Sequence, residues 1–448
     1  MPLDDLRART AALMPEVTED LATLTRIPSI AFPGFPPGPV LEAAEATAAL
    51  FRKAGVADAR LLDVPGGYPA VFAEIPAPPG APTVLLYAHY DIQPAPMEQG
   101  WTGDPFTPVV KDGRLYGRGA ADDKSGVMMH VAVMRLFGGK PPVGVRLLIE
   151  GEEETGNGLG PFVEGNPHLA ACDAFVIADG GNSAAGHPEL NVALRGVVTC
   201  TVTVRTLRSM VHSGGFGGAA PDSLMALATI LHRLLDEHGD VAVPGLTRYD
   251  WDGEDVSEEG YRAAAGLLPN VGLMGTGSLA SRLWTRPSVT AIGIDAPPVA
   301  GASNSLIPEA TAKISLRIAP GSDPAASQQA LIDHIKASAP WNVQVEVTPG
   351  ELGNAFKAPT GGPIEGTARA AMREVFGRET VSTASGGSIP LLGTLQALAP
   401  DAEFVVWGAQ EGQHSSAHGP DESQDLAELE RMILAEARFL ELLGATAR

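Results

Sequence analysis

The stretch Thr83-Val-Leu-Leu-Tyr-Ala-His89-Tyr-Asp91-Ile-Gln-Pro94 decides how the rest of the chain is read. An apolar, β-prone run leads into a His, a spacer and an Asp, and Gln93-Pro94 stops it. A short run of this kind bounded by a breaker predicts a buried strand. Residues two apart on a strand project to the same side. His89 and Asp91 therefore point together from the strand's carboxyl end, where open α/β sheets place their ligand sites. Asp91 is placed to hold the imidazole, as carboxylates do behind metal-bound His. The plainer alternative is a surface His beside a turn Asp.

Upstream of this strand, apolar residues at helical spacing (Leu6, Leu13, Met14, Val17, Leu21, Leu24) predict one or two helices over 3–26. A Pro-rich loop to Pro39, a helix over about 40–54 and alternating strands over 58–75 follow. Downstream, a polar connection with Asp112-Gly113 leads to Gly117-Arg-Gly-Ala-Ala-Asp122-Asp123-Lys124, which opens an apolar helix over 127–137. Val143–Glu150 reads as a second buried strand ending in Gly151-Glu-Glu-Glu-Thr-Gly156, and 174–178 as a third ending in Asp179.

Residues 193–352 have an order of their own: strand (192–205), helix (221–236), strand (288–294), strand (311–318), helix (324–338), strand (342–348). That βαββαβ sequence is the ferredoxin-like split arrangement. An acidic, Gly-containing insert, roughly 239–287, interrupts it. The remainder returns to helix (363–376), a Gly-Gly turn, helix (386–397), strand (402–407) and a terminal helix (423–443). The expected architecture is an α/β, mixed-sheet domain made of 1–192 and 353–448, with an inserted domain at 193–352.

Composition bounds the function. The chain has 448 residues, room for two domains, and 44% of them are hydrophobic, so a sizeable core is expected. A net charge of −22 argues against nucleic acid and anionic membrane surfaces as partners. Two cysteines, Cys172 and Cys200, exclude a disulfide scaffold and a thiolate zinc finger. No signal-peptide pattern and no membrane-length apolar run is visible, so a soluble cytoplasmic protein is expected.

The polar strand ends gain meaning together. His89, Asp91, Asp122, the Glu152–Glu154 run, Asp179 and a late His414/His418 pair all lie where strands or loops converge. Carboxylates with imidazole and without thiolate suit Zn²⁺, Mn²⁺ or Co²⁺. A pair of metals ~3.5–4 Å apart needs a carboxylate to bridge them. Each residue also has a plainer reading: Asp123 as a helix N-cap beside a solvated Lys124, Glu152–Glu154 as an exposed acidic turn, His212 as a loop residue.

These residues, with His212-Ser-Gly-Gly-Phe-Gly-Gly218 and His418-Gly-Pro-Asp-Glu422, resemble the M20 family of dinuclear zinc peptidases, nearest its dipeptidase and carnosinase-like branch. The resemblance runs in order from about residue 80 to the end. It implies that His89 and Asp179 bind one metal, Glu154 and His418 the other, and that Asp122 bridges them. Glu153 would be the general base and Asp91 would orient His89. His212 would help bind the developing oxyanion from a partner subunit of a homodimer. Arg317 with Asn304, Gly387 and Ser388 would bind the substrate. The family also implies a cis peptide between Asp122 and Asp123. Two departures touch the substrate pocket: Ser209-Met210-Val211 where the family has Arg-Asp-Leu, and Ala384-Ser385 where it often has Arg-Glu. The expected activity is hydrolysis of dipeptides or short peptides. An N-acyl-amino-acid deacylase on the same scaffold is the alternative, and an inactive binding protein would require a lost ligand or base.

Overall fold

The computed structural model describes residues 1–156, 158–387 and 389–445. Its central sheet has six strands in the order Arg60–Leu62, Ala70–Ile75, Gly144–Glu150, Thr83–His89, Ala174–Ile177, Glu403–Val406. The last four run parallel, and Ala70–Ile75 runs antiparallel to both of its neighbours, so the sheet is mixed. The opening stretch is its interior strand, and alternation gives it two buried faces. Val84, Leu86 and Ala88 pack into one core beneath the helices Leu3–Thr25, Lys124–Leu136 and Leu426–Ala445. Leu85 and Tyr87 enter another, beneath Leu159–Gly165 and Pro390–Leu398. Each fully buried Val or Leu side chain here contributes about 1.5–3 kcal/mol. A strand apolar on both faces has no position from which to turn outward, and it must lie inside the sheet.

A four-stranded antiparallel sheet forms a second layer, in the order Ser288–Asp295, Glu309–Ile318, Gly196–Arg205, Gln344–Gly353. Its elements follow one another as strand, helix, strand, strand, helix, strand, with the helices Ser223–His232 and Pro324–Ala337. Val198, Cys200, Val202 and Val204 bury against those helices. The alternate residues of the sheet, Val197, Thr199, Lys313, Ser315 and Arg317, face a cavity shared with the central sheet's strand ends.

Two readings change. The single strand expected over 192–205 is two strands, Glu189–Leu194 and Gly196–Arg205. The first pairs in parallel with Val381–Ser385, a strand unseen in the sequence, and the chain passes between sheets at Arg195-Gly196. Lys124 is not solvated: it is fully buried, and its Nζ donates to the carbonyls of Leu24 (2.9 Å) and Ile27 (2.8 Å) at the end of the first helix. No helix among the described residues is long and apolar enough to cross a membrane.

Candidate metal centre

His89 ends its strand wholly buried. Its Nδ1 lies 3.3 Å from Asp91 Oδ1, and its Nε2 lies 3.2 Å from Asp122 Oδ1. Asp91 does more than orient this ring. Its Oδ1 accepts the N–H of Glu153 and its Oδ2 that of Glu154, both at 3.1 Å. Asp91 thus meets the imidazole with its backbone carbonyl, 3.1 Å from Nδ1, as well as with its carboxylate, and that buried carboxylate fixes the turn that carries both glutamates. The acidic run is turned inward, not outward.

Asp122 stands between the two halves of the site. Its Oδ1 meets His89, and its Oδ2 lies 3.0 Å from Nε2 of His418, which is itself 3.3 Å from Glu154 Oε2. Ligand atoms of His89, Asp122 and Asp179 fall within 4.8 Å of one another, and so do those of Asp122, Glu154 and His418. The two groups share Asp122. The peptide joining Asp122 to Asp123 is cis. Asp123 caps the next helix by accepting from Gly126 N (3.1 Å) and also accepts from His89 N (3.2 Å).

The electrostatics describe an excess of negative charge. Burial pushes the Asp179 carboxyl up to about 7, with Asp122 and Glu154 adding to the effect and His89 opposing it. Burial, then Asp179, also raises Glu153 well above the carboxylate range. Burial works against ionised Asp122 as well, yet its bonds to His418 and His89 hold it below that range. Glu154 Oε1 is buried with no hydrogen-bond partner among the described residues, while Oε2 accepts from Gln93 (2.6 Å). Crowded carboxylates with an unfilled oxygen need a cation, and this oxygen-and-imidazole donor set fits divalent ions in pairs.

The cavity above these ligands has a volume of about 790 Å³. Glu153, Asp179 and His418 line one side; Arg317 and Gly386-Gly387 line another. His414 is exposed and belongs to neither ligand group. His212 and Asn304 are exposed and lie outside the residues lining this cavity. They neighbour each other, since the Ser213 N–H donates to the Asn304 carbonyl at 2.9 Å. Ser388 lies outside the described residues. Two contributors escape sequence reading. Gln93 looks like part of a strand breaker but holds Glu154. Glu422 is buried and accepts the N–H groups of Ala121 and Asp122 (3.0 Å each) and Nη1 of Arg118 (2.6 Å). Its signal was its place four residues after His418.

Residues 85–442 match the peptidase family M20/M25/M40. The cysteinylglycine-S-conjugate dipeptidase of Corynebacterium striatum is 40% identical over 372 residues, covering 81% of this chain and 82% of the relative. The β-Ala-His dipeptidase of Rattus norvegicus is 29% identical over 371 residues, covering 78% and 75%. Among solved structures, the dipeptidase Dug1p of Saccharomyces cerevisiae superposes with a TM-score of 0.84 at 22% identity, covering 99% of both chains. Human carnosine dipeptidase 1 superposes at 0.83 and 24% identity, again over 99% of both. With a family match spanning most of its length and the two ligand groups brought together at the strand ends, this chain belongs to the M20/M25/M40 family of metallopeptidases.

Proposed function

We propose that the chain hydrolyses the amide bond of dipeptides or short peptides at a dinuclear centre, with Zn²⁺ as the native metal. The observation that carries this reading is Asp122, one oxygen toward each ligand group, beside a cavity with carboxylates at one wall and Arg317 at another. His89 and Asp179 would hold one ion, Glu154 and His418 the other. Bound there, such a pair supplies Lewis acidity to the scissile carbonyl and a water that loses its proton near neutral pH.

The chain's own groups do the rest. A Glu153 carboxylate oxygen accepts the proton of the attacking water and returns it to the departing nitrogen. Its burial makes it a stronger base than a surface Glu. Asp91 keeps Glu153 in place through the backbone. Arg317, with the Gly386-Gly387 turn, takes the substrate's carboxylate, for which a planar guanidinium is suited. The similarity to relatives named as dipeptidases supports a small substrate.

In this reading 193–352 is a ferredoxin-like lid and dimerisation domain inserted into a catalytic domain of 1–192 and 353–448. His212 is supplied by the neighbouring subunit of a homodimer, and its Asn304 neighbour comes with it. Two free thiols suit the cytoplasm as the working compartment. Turnover of a dipeptide panel, measured with and without added metal and set against N-acetyl and N-succinyl amino acids, tests the proposal. Metal-dependent cleavage of the dipeptides is expected. Preference for the acylated amino acids would replace the peptidase reading with a deacylase.

A further inference from the structure

Arg195 sits where the chain leaves one sheet for the other, and only 9% of it is exposed. Its backbone N–H donates to the Ser385 carbonyl at 3.1 Å, fastening it to the start of the Gly386-Gly387 turn. Nη1 donates to Ser288 Oγ at 3.1 Å, while Nε is buried with no hydrogen-bond partner among the described residues. A Cβ added at Gly386 would stand 2.8 Å from Nη2, so the guanidinium lies against a residue that lines the cavity. Among the described residues, no carboxylate lies within ion-pair distance of it.

Arg317 completes the arrangement. It is the cross-strand partner of both Val197 and Ser288. Directly opposed residues on antiparallel strands share a face, so the serine that holds Arg195 is the neighbour of Arg317. Arg317 makes no hydrogen bond or ion pair with a described residue, although Glu351 is near enough to favour its charge. Burial, then Arg317, pushes Arg195 down to about 10, which leaves it cationic at neutral pH. Two neighbouring cations, one of them buried and incompletely bonded, are a costly arrangement unless an anion completes it.

We propose that Arg195 and Arg317 together form the receptor for the substrate's C-terminal carboxylate, and that Arg195 makes a free carboxylate a requirement. The proposal rests on the peptidase reading of the cavity and adds a binding residue that the motifs do not mark. Arg317 lines the cavity from the sheet face, whereas Arg195 is not itself a lining residue and approaches from behind Gly386, which is. Glycine at 386 keeps that approach open.

The test uses the metal-loaded full chain and a matched pair: the dipeptide turned over best, and its C-terminal amide. Wild type should favour the acid. Arg195→Met should lower kcat/KM for the acid about 10- to 100-fold, the size expected for a hydrogen bond to a charged group, mainly through KM. The amide should change little, so discrimination shrinks, and Arg195→Lys should recover part of it. A parallel fall for acid and amide would show that Arg195 merely supports the fold, and would overturn the proposal. Should Arg195→Met lose its metals or its circular dichroism, Gly386→Ala asks the same question, because its Cβ displaces the guanidinium without removing the charge. Unchanged discrimination there also overturns the proposal. Calorimetric binding of the free amino-acid product separates this from the function itself. If no dipeptide is cleaved, the peptidase reading has failed, and equal affinity of wild type and Arg195→Met for the amino acid would dismiss Arg195 as well.

Discussion

Asp122 carries the strongest claim at the scale of single residues, because its two oxygens already point to different histidines. An amide at this position offers one oxygen and a nitrogen that cannot serve as an anionic donor. Asp122→Asn is expected to lose at least one metal together with activity. Two metals retained by elemental analysis would place the bridge elsewhere, with Asp123 next to examine. Glu153→Gln separates metal binding from proton transfer: near-normal metal content, with kcat reduced ~10²–10⁴-fold. A kcat above about a tenth of wild type, well outside that range, would remove Glu153 from the role of base. His418→Ala should lower metal content while exposed His414→Ala leaves it unchanged, and the reverse result would exchange them. Asp122 and Glu153 were legible because one precedes a helix and the other follows a strand, and His418 because it opens the run His418-Gly-Pro-Asp-Glu422. Gln93 and Arg195 were not, since their meaning depends on a turn 61 residues away in one case and on a second sheet in the other. No local pattern distinguishes such a residue from a surface one.

Elements make the site rigid, and two loops depend on single carboxylates. Asp91 holds the Glu153–Thr155 turn, as Glu422 holds the loop before Asp122. Arg118 reinforces the second connection by reaching both Glu422 and the Gly419 carbonyl, at 2.6 and 3.2 Å. The His418 loop and Asp122 are therefore one mechanical unit. Glu422→Ala leaves the N–H groups of Ala121 and Asp122 without this acceptor and Arg118 without its carboxylate partner. Metal affinity should fall about 10- to 100-fold, as for other outer partners of metal ligands. Titration with a metal indicator checks this, and wild-type affinity would show that the loop is held by other contacts. The interior strands and the long helices were readable from periodicity alone. Val381–Ser385 was not: Val-Ser-Thr-Ala-Ser is short, largely polar and followed by Gly-Gly, so only its parallel partner Glu189–Leu194 makes it a strand. The same partner explains why 192–205 looked continuous. The sequence there is β-prone throughout, and the switch at Arg195-Gly196 is set by what lies on either side.

At the scale of the whole molecule, the unresolved business of one chain is His212. It is exposed and lies outside the residues lining its own chain's cavity, on a short strand pairing Val211–His212 with Ser305–Leu306. Its Nδ1 accepts the Gly214 N–H at 3.0 Å. A neutral imidazole that accepts at Nδ1 carries its proton on Nε2, so the ring presents a donor outward. That is the group needed where negative charge develops on a carbonyl oxygen. Among the described residues, the edge strand Ser288–Asp295 has no neighbour on its outer side, and its apolar Ile294 is 53% exposed. An open edge bearing apolar side chains invites pairing with another strand, and a second copy of this chain offers an identical edge. The dimer proposal joins these observations: the edge supplies the contact, and His212 crosses to the neighbouring cavity. His212→Ala should then lower kcat ~10²–10³-fold, the usual loss for one oxyanion donor, without lowering metal content. Mixing it with Glu153→Gln gives the decisive comparison. When subunits exchange at random, about half the dimers are mixed, and each mixed dimer has one site free of both lesions. Two nearly inactive proteins should recover activity toward about a quarter of wild type. Confirmed exchange with no recovery would return His212 to its own chain and remove the dimer from the mechanism.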